Sequence, residues 1–157
     1  MLAQRKGHIV TIASMASFLP APGLVDYCIS KIGALYLTEG LRAECLAHYG
    51  PAGRSICTTS IHPSWHQTGI LKNAGKDLLE KHGIVPDPPQ RVSEVVLEQV
   101  LKGRSGRICV PRDQERFAGV RGLPRWAQDL AFGLVWGGKA GTFKEIEAEH
   151  EARGGRV

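Results

Sequence analysis

Nineteen of the 157 residues are glycine, yet no G-x-G-x-x-G and no T-G-x-x-x-G-x-G occurs anywhere in the sequence. The chain therefore holds no glycine-rich turn of the kind whose backbone N–H groups and helix N-terminus cradle a dinucleotide pyrophosphate. Aromatic residues are scarce at 6%, and the arginines are scattered, so the net charge of +5 comes without a basic stripe or a stacking-aromatic motif. No nucleic-acid partner is expected on that pattern; the same charge suits an anionic membrane or a phosphorylated cofactor. The four cysteines, Cys28, Cys45, Cys57 and Cys109, show no C-x-x-C spacing. This argues against a zinc site or a disulfide framework and for reduced thiols in the cytoplasm. His62 and His66 are four apart but straddle Pro63, so they share no helical face and no metal is expected. No stretch reaches the roughly 20 apolar residues that span a bilayer, and Met1 opens no charged-then-apolar leader.

What is present begins at Gly7-His8-Ile9-Val10-Thr11-Ile12-Ala13, a β-branched apolar run that ends at Ser14. Residues 8–13 read as a buried parallel strand, and the loop 18–23, with two prolines and a glycine, leads into a helix. Thirteen residues beyond Ser14 stands Tyr27-Cys28-Ile29-Ser30-Lys31. A Tyr and a Lys four apart on a helix share one face, so the ammonium can sit beside the phenol oxygen. Unperturbed phenols titrate near ~10, and a neighbouring cation or a helix N-terminus favours the phenolate. Chance alone supplies a Y-x-x-x-K in such a chain roughly one time in seven, and an ordinary helix with a surface lysine satisfies the spacing. Context changes the weight. Ligands bind outside the carboxyl ends of strands in open α/β sheets, and Ser14 falls there, able to hydrogen-bond an oxygen whose proton Tyr27 exchanges.

Together with Gly7-His8-Ile9-Val10-Thr11-Ile12-Ala13-Ser14 and Ile61-His62-Pro63-Ser64-Trp65-His66-Gln67-Thr68, the pentad resembles the short-chain dehydrogenase/reductase family, in its retinol- and hydroxysteroid-dehydrogenase-like branch. The resemblance implies an α/β fold, a partial Rossmann-like, doubly wound parallel sheet of about three strands with flanking helices. It implies an NAD(P)-dependent oxidoreductase that interconverts an alcohol and a carbonyl on a lipophilic small molecule. Ser14 then orients the substrate oxygen, Tyr27 is the acid/base, and Lys31 assists Tyr27 and bonds the nicotinamide ribose. Pro63 opens the family's P-G-x-x-x-T pattern, so Pro63, His66 and Thr68 are expected against the nicotinamide of NADP or NAD. Ser64 stands where the pattern has glycine, which is tolerable if the position needs no positive φ. His66 replaces a small aliphatic residue.

By the same resemblance the glycine-rich half would lie upstream, so residues 1–7 are expected to be the tail of a helix preceding the first strand. The chain would then be the C-terminal portion of a dehydrogenase, with residues 1–138 in the Rossmann-fold domain and 139–157 a charged tail. An inactive remnant that serves at most as an interaction module is the alternative.

Further strands are expected at 55–61 and 106–110. The helix 24–49 is apolar on more than one side; burial against the sheet explains this, and the resemblance implies a homo-oligomer interface there. Residues 70–82 are expected to form a helix over the site, with Lys72, Lys76 and Lys81 on a solvated face. A helix at 91–102 should bury Val92, Val95, Val96, Val100 and Leu101. Residues 123–136 present Trp126, Leu130, Leu134 and Val135 on a helical face, which suits docking on the sheet or peripheral contact with a membrane surface.

Overall fold

The computed structural model describes residues 1–69 and 83–137, with Glu145, Ala148 and Ala152 beyond them. The expected helix at 70–82 and nearly all of the 139–157 tail lie outside the described residues. Three strands, β1 (Gly7–Ile12), β2 (Ile56–Pro63) and β3 (Gly106–Val110), form a parallel sheet in the order β1-β2-β3. Helix α1 (Val25–His48) and the short α2 (Gly50–Arg54) connect β1 to β2, and α3 (Gln90–Lys102) precedes β3. A 3-10 stretch, Arg112–Gly122, and α4 (Arg125–Trp136) follow.

Because side chains alternate along a strand, the central β2 feeds two cores. On one face Ile61, Ile108 and Val110 pack with Val10 and with Val92, Val95 and Val96 of α3. On the other, Cys109 packs with Met15, Phe18 and Leu35, and Phe117 and Ala118 cover the cluster. Helices on both faces of a parallel sheet make this a doubly wound α/β arrangement. Burying a side chain such as Ile61 completely contributes about 2 kcal/mol.

Several expectations shift. Residues 1–6 are consecutive turns rather than a helix tail, closed by Gln4 N–H to Met1 O and Arg5 N–H to Leu2 O. Arg5 has φ of 47°, which breaks any helix running into β1. The second strand runs two residues past its expected end, so His62 and Pro63 belong to β2. In α3 the buried stripe does not include Val100 and Leu101, and Leu101 is 77% exposed. Gln99 is buried instead, with its Nε2 donating to the Arg104 carbonyl at 2.7 Å. The reason is rotational: at 3.6 residues per turn position 99 lies under 92 and 96, while 100 and 101 turn away from the sheet.

Helix α1 buries Cys28, Leu35 and Thr38 but leaves Ile29, Leu37 and Tyr36 exposed. Helix α4 packs through Trp136 on the Ala21–Cys28 cluster, with Trp65 nearby, while Trp126, Leu130 and Leu134 stay exposed. Among the described residues no helix is long and apolar enough to cross a membrane.

Candidate active site

Ser14 follows β1 and caps the 3-10 turn Met15–Ser17, with extended φ and ψ of −167° and 164°. Its hydroxyl accepts from the Ala16 N–H at 3.2 Å and donates to the Pro63 carbonyl at 3.4 Å. Ser14 and Pro63 thus meet at the carboxyl ends of two adjacent parallel strands. Tyr27 lies in the first turn of α1, 37% exposed, and the Lys31 Nζ sits 5.4 Å from its ring centroid. That proximity is the one expected of two residues four apart on a helix.

Two ties hold the Ser14 turn against the Tyr27–Lys31 turns. Ser17, fully buried, donates to the Lys31 carbonyl at 2.9 Å, and the Ala21 N–H donates to the Cys28 Sγ at 3.3 Å. His62, also fully buried, tethers the same turn to β2, with Nδ1 3.0 Å from the Ser14 carbonyl oxygen and Nε2 2.9 Å from Ser60 Oγ. Phe18 from the turn packs on the His62 ring at 4.5 Å. Burial pushes the His62 pKa below its ordinary value; the Ser14 bond opposes this and the Arg107 charge adds to it. His62, Ser17 and Ser60 escaped the sequence reading as parts of this site. The available signal was alternation: Thr58, Ser60 and His62 place polar groups on one inward face of a buried strand, where each needs a partner.

After Pro63 the chain leaves the sheet. The Ser64 N–H donates to Val110 O, Asp87 N–H to Trp65 O, and Gln67 N–H to Asp87 O. Ser64 has no positive φ, so the backbone requirement that would have demanded glycine is absent. His66 is 5% exposed; its Nδ1 lies 3.1 Å from the Ser64 carbonyl, and its Nε2 has no hydrogen-bond partner among the described residues. Thr68 is exposed. Two open hollows of about 430 Å³, one along Cys109–Asp113 and one between α1 and Ser105–Arg107, are lined by neither Ser14 nor Tyr27. Among the described residues no group of three or more His, Cys, Asp or Glu is arranged to hold a metal ion.

The chain resembles known proteins over this same region. The Mus musculus protein named estradiol 17-beta-dehydrogenase 11 is 31% identical over 139 residues, covering 78% of this chain and 46% of its own length. Its Pongo abelii namesake is 37% identical over 145 residues, 82% of this chain and 47% of that one. Epidermal retinol dehydrogenase 2 of Mus musculus is 38% identical over 74 residues, covering 46% of this chain and 22% of its own. The chain therefore spans about half the length of the two estradiol dehydrogenase relatives. A short chain dehydrogenase from Burkholderia cenocepacia J2315, crystallised in complex with NADP, superposes with a TM-score of 0.52 at 22% identity. That superposition covers 85% of this chain and 45% of that one and bears on the fold alone. The model of the family described as short chain dehydrogenase matches residues 1–79, a stretch that contains the Ser14 turn, Tyr27, Lys31 and the whole of β2, and the chain belongs to that family.

Proposed function

We propose that the chain carries the substrate-side half of an NAD(P)-dependent oxidoreductase that interconverts an alcohol and a carbonyl on a lipophilic molecule of steroid or retinoid type. One observation carries the reading. The Ser14 hydroxyl sits at the carboxyl end of β1, and Ser17 bolts its turn to the Lys31 carbonyl on the helix that presents Tyr27. The 3.4 Å bond from Ser14 to Pro63 is long, and a substrate oxygen readily takes its place. In the proposed reaction Tyr27 gives or takes the proton at that oxygen while Ser14 O–H donates to it. Lys31 steadies the Tyr27 oxygen and holds the cofactor ribose.

Pro63, His66 and Thr68 would hold the nicotinamide of NADP or NAD. His66 supports the fit: with Nδ1–H donating to Ser64 O, its buried Nε2 is a bare acceptor, which suits the N–H of a carboxamide. The nicotinamide supplies or accepts a hydride when bound. NADP is preferred over NAD by analogy with carbonyl-reducing relatives. A second reading, an inactive remnant acting at most as an interaction module, draws on one fact: the sequence holds no glycine-rich pyrophosphate turn.

Two measurements test the proposal. The 157-residue chain alone is expected to show no turnover of a steroid or retinoid alcohol with NADP; saturable NADPH binding with turnover that vanishes in Tyr27→Phe would overturn that expectation. Joined to a strand–glycine-rich turn–helix half from a relative, it is expected to gain turnover, reduced about 10²-fold or more by Tyr27→Phe. A joined protein that binds cofactor but never turns over supports the remnant.

A further inference from the structure

We infer that His62 is the positioning residue for Ser14: its Nδ1–H holds the Ser14 carbonyl and so fixes the turn on which the Ser14 hydroxyl is presented. What Ser14 contacts rests on the dehydrogenase reading; the tether itself stands on geometry alone.

A backbone carbonyl only accepts, so the 3.0 Å approach of Nδ1 to Ser14 O places the ring proton on Nδ1. The same neutral ring must then accept at Nε2, where the Ser60 hydroxyl lies 2.9 Å away and donates. His62 is fully buried and Ser60 nearly so, so the ring meets these two partners within the fold. The order is therefore unique: Ser60 O–H to His62 Nε2, and His62 Nδ1–H to Ser14 O. Burial and the nearby Arg107 both oppose a second proton on the ring, which keeps that tautomer in place.

Besides His62, β2 holds the entry to the turn through the Ala13 N–H, which donates to Ile61 O at 2.8 Å one residue before Ser14. Ser14 has extended backbone angles, its carbonyl takes one further bond from the Ser17 N–H, and its hydroxyl reaches Pro63 only at 3.4 Å. His62 grips at two points, because Phe18 of the same turn lies on its ring. A histidine that merely filled the core would leave Ser14 unmoved when replaced by a residue of similar bulk.

The test needs neither cofactor nor substrate. Long-range proton–nitrogen NMR spectra of the 157-residue chain should show His62 protonated at Nδ1 and bare at Nε2; the opposite tautomer overturns the inference. The Ala16 amide, which bonds Ser14 Oγ, reports the turn by its exchange rate. His62→Asn keeps a donor at the Nδ1 position, whereas His62→Gln reaches only toward Ser60. Exchange at Ala16 should rise about tenfold in His62→Gln and stay near wild type in His62→Asn. Equal acceleration in both, or none in either, overturns the proposal. His62→Leu should match His62→Gln; if it does not fold, the Gln variant, judged against retained protection of the β2 amides, decides. A failed dehydrogenase reading leaves these spectra unchanged and appears in the turnover measurements instead.

Discussion

Phe18 is 2% exposed and joins Met15, Leu35 and Cys109 in the core between α1 and the sheet, while its ring supports His62. Phe18→Ala should therefore cost about 3–5 kcal/mol, read from urea unfolding. Acid should weaken the fold through His62. Its folded pKa lies below the ordinary 6.5, so the unfolded chain binds a proton that the folded chain refuses. The stability from this group is complete above that value and is lost as pH falls through it toward the folded pKa. His8 is lowered in the same direction, also by burial. The melting temperature should drop between about pH 7 and pH 5, and His62→Asn should flatten the drop to the share left by His8. All four cysteines are free, but Cys28 and Cys109 are buried and Cys109 is pushed up to about 11 by burial and by Glu115. A thiol alkylator at neutral pH should modify Cys45 and Cys57 in the native chain, and the other two only after unfolding. At this scale the placing of Ser14 after β1, and of Tyr27 and Lys31 one turn apart on α1, was legible because it follows from local spacing. His62 was not, since its partner Ser14 lies 48 positions away and only strand pairing brings them together.

Helix α1 and strands β1 and β3 were legible from apolar runs and flanking turns, to within a residue at each end. Helix α2 was not, because five residues carry too little periodicity to read. Its placement depends on Gly53, where an added Cβ would overlap the Cys45 carbonyl of α1. Gly53→Ala should accordingly destabilise the chain by about 1–3 kcal/mol in denaturant unfolding, because backbone rather than a pliable side chain must yield. The 3-10 stretch Arg112–Gly122 also carried no clear pattern. It is held by tertiary contacts, Phe117 and Ala118 on the core and Arg121 Nε donating to Phe18 O at 3.1 Å. In α3, helical periodicity identified the element but not its rotation, because Gln99 satisfies its amide on Arg104 and is buried where Val100 was expected.

Across the whole molecule, β1 is an edge of the described sheet, and α1 presents Val25, Ile29, Tyr36 and Leu37 to solvent. Isolated apolar side chains need no explanation, but a continuous helical stripe with small Gly33 and Gly40 between its large residues suits close packing by a second helix. The chain should associate in a concentration-dependent way in sedimentation velocity, and Leu37→Glu should shift it to monomer without lowering its melting temperature. An unchanged sedimentation profile in the variant would assign the association to the β1 edge instead.

By itself the sequence determined the lineage, the parallel α/β class and the pairing of Tyr27 with Lys31 on one face of α1, because those properties reside in local runs and fixed spacings. Only the tertiary structure decided what surrounds them. Pairing β1 with β2 set Ser14 against Pro63 and His62, and the Ser17 bond to Lys31 joined that turn to the helix of Tyr27. Such contacts join residues far apart in the chain, and no pattern along the sequence records which buried polar group will satisfy which.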